Sequence, residues 1–157
     1  MAIMGYRVDD RLVHGQVVSA WVKALDLNQL LVVDKRIAGD GFIKKVLAMM
    51  APKGTQVTVW DFCKGAEEIS RMEELEEMRA MVILKDPIGA LELYTQGVKM
   101  ARLCIGGMQR GENRELVQKD IYASQMEMDA LFALKDKGVQ IYEQQLPHME
   151  EGKLLFL

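Results

Sequence analysis

Short apolar runs alternate along the chain with longer segments in which apolar residues recur at helical spacing. The apolar runs predict strands at residues 3–8, 29–33, 56–60, 80–84, 102–105 and 139–142. The helical spacing, with Asp, Ser or Pro at several candidate starts, predicts helices at residues 15–25, 40–50, 63–79, 86–97 and 124–137. This alternation indicates an α/β fold with a mostly parallel central sheet and helices on both faces.

The connections between these elements are short, and no linker, repeat or low-complexity stretch interrupts them. We therefore expect one domain over residues 1–157. The glycines within residues 106–111 predict a turn region, and the apolar residues 154–157 are expected to dock on the body. In a sheet of this kind ligands bind at the carboxyl ends of the strands, so the residues that follow each strand are the first candidates for a site.

Charge and composition narrow the classes of function. The chain has 20 basic and 23 acidic residues, a balance that argues against a nucleic-acid-binding protein with its basic face. No apolar run approaches the roughly 20 residues that cross a bilayer, and the first residues do not form a signal peptide, so we expect a cytoplasmic protein. Two cysteines and two histidines are too few for a disulfide framework or a common zinc site, and no metal or cofactor is predicted.

The segment DDRLVHGQ, residues 9–16, follows the first strand and leads into the first helix. A histidine that accepts a phosphoryl group must be neutral, and the partial positive charge of a helix start disfavours the imidazolium form of His14. The same helix start offers backbone N–H groups to phosphate oxygens, and Gly15 lets the backbone come close. Arg11 can bind two phosphate oxygens at once. Either Asp9 or Asp10 could orient the imidazole or hold Arg11.

Three other interpretations compete with a phosphoryl acceptor at His14. A lone histidine in a loop is often only a surface residue. Cys104 and Arg110 have the spacing of the phosphate loop in protein tyrosine phosphatases, although Gly111 stands where those enzymes have Ser or Thr. A receiver-like regulatory domain would carry its phosphoryl group on an aspartate such as Asp61, after the third strand, and would leave the histidine segment without a purpose.

Residues 9–17, together with Trp21, resemble the active-site segment of the IIB component of the mannose/fructose/sorbose family of the bacterial phosphotransferase system (PTS). The resemblance continues along nearly the whole chain. It includes, in the expected order, residues 33–34, 51–54, 85–87, 105–108, 137–139 and Pro147. Lys85 departs from the family pattern, because a hydroxyl residue is common at that position.

The resemblance implies a fold with a seven-stranded mixed sheet, one edge strand of which is antiparallel. It also implies a phosphotransferase that receives a phosphoryl group from a IIA protein and passes it to a sugar bound by the IIC and IID membrane components. The chain would then sit at the inner face of the membrane through IIC and IID. Those components would select the sugar, and a homodimer is left open.

The same resemblance implies roles for individual residues. His14 matches the phosphorylated histidine, with Nδ1 as the acceptor atom, Arg11 matches the arginine beside the phosphate, and Asp9 matches an acidic residue that assists at the partner interface. The rest of the loop is expected to surround the phosphate, through Asp10, Leu12, Val13, Gly15 and Gln16. Candidate residues at the border of the site are Lys85, Asp86, Gly106 and Gly107.

Overall fold

The computed structural model describes residues 2–157. Its strands are β1 (Ile3–Asp9), β2 (Gln29–Val33), β3 (Gln56–Trp60), β4 (Ala80–Leu84), β5 (Arg102–Gly107), β6 (Glu115–Gln118), β7 (Ile121–Ala123), β8 (Gln140–Glu143) and β9 (Gly152–Lys153). Its helices are α1 (Gly15–Leu25), α2 (Lys35–Ala38), α3 (Gly41–Met49), α4 (Phe62–Met72), α5 (Pro87–Thr95) and α6 (Gln125–Asp136).

Seven strands form one sheet in the order β3-β2-β4-β1-β5-β8-β9. Every neighbouring pair is parallel except β8 and β9, which run antiparallel at the edge. The predicted fold class is therefore confirmed, including the antiparallel edge strand. Strands β6 and β7 form a separate antiparallel hairpin, which contacts the end of β5 through a bridge between Met108 and Ile121.

Two hydrophobic clusters cover the two faces of the sheet. One cluster packs α1, α2 and α3 against the sheet, through residues such as Trp21, Ile37 and Leu47. The other packs α4, α5 and α6 against the opposite face, through residues such as Ile69 and Leu93. Strands β2 and β4 are buried along their whole length, as expected for parallel strands covered on both sides.

The sequence prediction is wrong at several boundaries. The helix predicted over residues 63–79 ends at Met72, and turns follow it. Gly106 and Gly107 belong to β5 instead of a turn. The strand predicted last, at residues 139–142, is followed by the short β9, and the sequence analysis did not assign β6, β7 or α2. The expected docking of the final residues is confirmed by Leu154, which is buried in the core.

None of the helices in residues 2–157 combines the length and the apolar character that crossing a bilayer requires.

Candidate functional site

The carboxylate of Asp9, at the end of β1, is the centre of a charged cluster. It is buried, with a side chain only 2% exposed. Its Oδ1 accepts hydrogen bonds from the backbone N–H and Nε of Arg11, both at 3.1 Å, and its Oδ2 lies 3.3 Å from Nε2 of His14. A guanidinium nitrogen of Arg7 lies 3.5 Å from the same Oδ2. Asp9 thus contacts both Arg11 and His14, the two partners that the sequence analysis left open between the two aspartates.

His14 is the residue just before α1 and is partly exposed, with 22% of its side chain accessible. A carboxylate facing Nε2 favours the neutral tautomer with its proton on that nitrogen, which leaves the lone pair on Nδ1. Nδ1 makes no hydrogen bond among the described residues. The ring nitrogen without a hydrogen bond is therefore the one that the sequence analysis expects to accept a phosphoryl group.

The start of α1 carries no side-chain cap. The first backbone N–H groups of α1, from Gly15 to Val17, have no acceptors within the helix, as in any helix. The side chain of His14 does not accept a hydrogen bond from them either. Gly15 has a φ of 39° and open space where a Cβ would stand. The other helices each begin at a residue whose side chain accepts a backbone hydrogen bond, namely Asp34, Asp40, Asp61, Asp86 and Ser124. The α1 start is thus free to bind an anion.

Arg7 is a functional residue that the sequence analysis missed. It is almost fully buried in β1 and donates to the carbonyl oxygens of Gln144 and Gln145 at 2.7 and 2.9 Å. Its guanidinium lies 5.0 Å from the ring centre of Trp21, whose Nε1 donates to the same carbonyl of Gln145. Arg7 therefore joins Asp9 to the loop after β8. The signal in the sequence was a charged residue inside an otherwise apolar strand.

Asp10 has a different task from Asp9. Its Oδ2 accepts hydrogen bonds from Arg114 at 2.6 Å and from the backbone N–H of Gln109 at 2.7 Å. Arg114 also donates to both carboxylate oxygens of Glu127, at 2.8 and 2.7 Å, and Glu127 closes a capping box with Ser124 at the start of α6. The carboxylate of Asp10 thus connects the histidine loop to Arg114 before β6 and, through Arg114, to Glu127 of α6.

Two glycines of β5 provide the room that the charged cluster needs. A Cβ on Gly106 would overlap the guanidinium of Arg7. A Cβ on Gly107 would lie 2.8 Å from Oδ1 of Asp9 and 2.9 Å from Nη2 of Arg11. Both distances are shorter than real contacts allow. Gly107 therefore lies next to Asp9 and Arg11, within a strand instead of a turn.

The remaining predicted loop residues are distributed between the core and the surface. Leu12 and Val13 are buried in the cluster beneath α1, and the backbone N–H of Leu12 donates to the carbonyl of Asp9. Gln16 is exposed in the first turn of α1. Lys85 is half-buried and follows β4, which pairs with β1 up to Val8. Asp86 caps α5 and accepts a hydrogen bond from Gly89 at 2.8 Å.

The two competing sites of the sequence analysis do not have the required geometry. Cys104 lies inside β5, and burial raises the pKa of its thiol, which disfavours the thiolate that a phosphatase needs. Arg110 stacks on Tyr122 instead of facing that thiol. Asp61 follows the edge strand β3 and caps α4 through the backbone N–H of Lys64.

The overall fold is similar to that of known proteins. A solved structure described as a phosphoenolpyruvate-dependent phosphotransferase system protein superimposes with a TM-score of 0.90 and 27% identity, over 99% of this chain and 96% of that one. The fold is therefore one that phosphotransferase-system proteins use.

A family model described as the PTS system sorbose subfamily IIB component matches residues 3–155, and the chain belongs to this family. It is similar to the PTS system fructose-specific EIIB component of Bacillus subtilis, with 29% identity over 94% of this chain and 90% of the relative. It is also 28% identical to the PTS system mannose-specific EIIAB component of Escherichia coli, over 86% of this chain and 42% of that longer protein. The protein is thus a IIB component of a sugar-transport phosphotransferase system, a family of phosphotransferase subunits.

Proposed function

We propose that His14 accepts a phosphoryl group on Nδ1 from a phosphorylated IIA protein and transfers it to a sugar bound by IIC and IID membrane components. Residues 1–157 would act as one IIB domain. The observation that carries the proposal is the pairing of Nε2 with Asp9 at 3.3 Å beside an uncapped helix start. It leaves one nucleophilic nitrogen and several free N–H donors at the same place.

In the first step, the lone pair of Nδ1 attacks the phosphorus atom of the donor phosphohistidine. The N–P bond to His14 forms as the N–P bond to the donor imidazole breaks. The ring of His14 keeps its proton on Nε2 and gains positive charge, which the facing carboxylate of Asp9 stabilises. Arg7 and Arg11 also contact Asp9, so part of its negative charge is already balanced before transfer.

Phosphoryl transfer requires mainly positioning and stabilisation of charge on the phosphate oxygens. Arg11 is held by Asp9 through Nε and Nη2, which fixes the plane of its guanidinium, and its side chain is 31% exposed. The free N–H groups of the first turn of α1 supply further donors. Gly15 and Gln16 are therefore the loop residues that we assign to phosphate binding through the backbone.

In the second step, a sugar hydroxyl attacks the phosphorus atom, the O–P bond forms, and the N–P bond to His14 breaks. The electron pair returns to Nδ1, and the hydroxyl proton passes to a base on the acceptor side or to water. The IIA donor is supported by the similarity to an EIIAB component, whose name joins the two parts. Membership in the sorbose subfamily supports IIC and IID as the acceptor components.

The test is transfer from phosphorylated IIA to the purified protein, followed by mass spectrometry of its peptides. We expect one acid-labile and base-stable phosphoryl group on His14, and no labelling of His14→Ala. Labelling of another residue in the wild type, or undiminished labelling of His14→Ala, would overturn the proposal.

The substitution Cys104→Ser tests the phosphatase alternative in the same assay. Serine keeps the size of the buried side chain, and the thiol has no role in the proposed transfer. We expect nearly normal labelling of Cys104→Ser and no hydrolysis of phosphotyrosine analogues by the wild type. A phosphatase activity that disappears in Cys104→Ser would favour the rejected site.

A further inference from the structure

The outer face of α3 exposes bulky apolar side chains along its whole length. Phe42 is 76% exposed and Met49 is 85% exposed, and Val46 and Met50 are exposed as well. Their spacing of three, four and seven residues puts them on one side of the helix. The opposite side of α3 packs on the sheet through Leu47, so the helix is already anchored and its outer face has no partner among the described residues.

Basic residues are frequent in and next to α3 in the sequence. The chain between positions 34 and 53 contains five basic residues and two acidic ones, whereas the whole chain is acidic. The basic residues are Lys35, Arg36, Lys44, Lys45 and Lys53, and no salt bridge in residues 2–157 involves them. The two acidic residues, Asp34 and Asp40, hold backbone N–H groups as helix caps.

We propose that this outer face of α3 binds the surface of an anionic lipid bilayer. Apolar side chains on one face of a helix with lysines beside them are typical of helices that lie in the membrane interface. Lys45 lies on the same side of α3 as Phe42 and Met49, three residues after the first and four before the second. Its ammonium can remain at the level of the headgroups while the apolar side chains enter the acyl boundary.

A bilayer fits this surface better than an acidic protein does. The outer face of a single helix is convex, and Phe42 and Met49 project from it with most of their area exposed. A protein partner would need matching pockets for both side chains, whereas fluid lipid accommodates them without a preformed shape. Each basic residue near an anionic membrane surface strengthens binding by about fivefold, so the cluster offsets the acidic charge of the rest of the chain.

The experiment is co-sedimentation of the full chain with vesicles of phosphatidylcholine alone or with one third phosphatidylglycerol. We expect binding to the anionic vesicles that weakens by about tenfold or more at high salt, and little binding to neutral ones. The double variant Phe42→Ser/Met49→Ser should lose binding by about tenfold or more, and Lys45→Glu should lose it by at least fivefold. The matched control, Leu116→Ser/Met126→Ser, changes two apolar side chains elsewhere that are also mostly exposed, and it should bind like the wild type.

Folding of each variant is checked by its melting temperature, and phosphorylation of His14 by IIA without lipid should be unchanged in all of them. That control separates a failure of this proposal from a failure of the proposed phosphoryl transfer. The proposal is overturned if the wild type does not bind anionic vesicles, or if Phe42→Ser/Met49→Ser binds them normally. Self-association without vesicle binding, or binding only to membranes that contain IIC and IID, would assign the face to those partners and would also overturn it.

Discussion

The helices α1 and α5 both begin at the carboxyl ends of neighbouring parallel strands, yet their first turns are built differently. At α5, Asp86 accepts a hydrogen bond from Gly89 at 2.8 Å, and Pro87 removes another donor from the first turn. At α1, His14 occupies the corresponding position and its side chain caps nothing. One helix start is closed by its own sequence, and the other is left open to solvent.

This difference separates a helix start that its own side chain caps from one that we propose binds phosphate. An acidic or hydroxyl residue at the N-cap commonly stabilises a helix by about 1 kcal/mol, and α1 lacks that contribution. In exchange, its N–H groups and partial positive charge are available to an anion. The side chain of His14 is instead held by Asp9, which is part of the preceding strand. The open helix start and the held imidazole together define the site.

The largest effect is expected from closing the α1 start. Asparagine is among the best N-cap residues, so His14→Asn should remove the phosphoryl acceptor and also cap the free N–H groups. We expect no phosphorylation by IIA in either His14→Asn or His14→Ala. In chemical unfolding, His14→Asn should be about 1 kcal/mol more stable than His14→Ala, because only asparagine supplies a cap. Equal stability of the two variants would contradict the view that the α1 start is an unused capping site.

The next effect concerns Arg11, which stands beside the open start. We expect Arg11→Ala to accept the phosphoryl group about 10³-fold more slowly, the scale of an arginine that stabilises the transferred group. Arg11→Lys should recover only part of the rate, since an ammonium cannot span two phosphate oxygens. Rapid-quench measurement of labelling gives both rates.

Folding of the Arg11 variants should be nearly normal. The side chain is 31% exposed, and Asp9 keeps its contact with Arg7 when Arg11 is removed. We expect a loss of stability below about 1 kcal/mol, because Arg11 is partly exposed and Asp9 is not left without a charged partner. If Arg11→Ala labels at the wild-type rate, Arg11 is only a partner of Asp9 and does not act on the phosphate.

The parts of the molecule that depend on local sequence could be predicted from it. The observed bounds of α1, β2, β3 and β4 agree with the prediction, because apolar periodicity and caps determine them within a few residues. The histidine loop could be located for the same reason, since it joins a clear strand to a clear helix. The contacts of Asp9 and Asp10 could not be distinguished, because the partners of Asp10, Gln109 and Arg114, are about 100 residues away in the chain.

Features that depend on distant contacts could not be predicted. Residues 73–79 have helical spacing, but α4 ends at Met72. Arg79 instead donates to the carbonyl oxygens of Leu25 and Asp26 at the end of α1. Gly106 indicated a turn, whereas its missing side chain makes room in the sheet for buried Arg7. Contacts of this kind join positions far apart in the chain, and periodicity carries no information about them.

A smaller effect is expected from the support beneath the open start. Arg114→Met would free Asp10 and Glu127, so the histidine loop should be held less well. A displacement of about 1 Å can cost up to about 10²-fold in rate, and we expect a loss of about tenfold in labelling. The control is Met126→Ser, which changes the exposed residue next to Glu127 on α6 and leaves the ion pairs of Arg114 intact. Undiminished labelling of Arg114→Met would show that the loop holds its shape without this anchor.

The same ion pairs predict a dependence of stability on pH. Burial by itself raises the pKa of Glu127, but the hydrogen bonds from Arg114 and Ser124 outweigh it, and the pKa is lowered overall. A carboxylate with a lowered pKa in the folded state stabilises the protein at neutral pH, and this contribution is lost as the pH falls through that pKa. Chemical unfolding between neutral and acidic pH should therefore show a smaller acid-induced loss in Glu127→Gln than in the wild type. An equal acid-induced loss of stability in both proteins would mean that protonation of Glu127 does not contribute to it.

The smallest effect on transfer is expected at the closed helix start, which completes the comparison. Asp86→Ala removes the cap of α5 and should cost about 1 kcal/mol of stability, as caps of this kind usually do. Although Asp86 follows the strand next to β1, its carboxylate is engaged with Gly89 and contacts none of the charged residues around Asp9. The rate at which His14 is labelled should therefore stay within about twofold of the wild-type rate, which is a small change in activation free energy.

The sequence analysis named Asp86 as a candidate for the border of the site. Its role follows from comparing the loss of stability with the loss of labelling in Asp86→Ala. A stability loss with normal labelling makes it a cap alone, whereas a labelling defect larger than the loss of folded protein would make it part of the phosphate site.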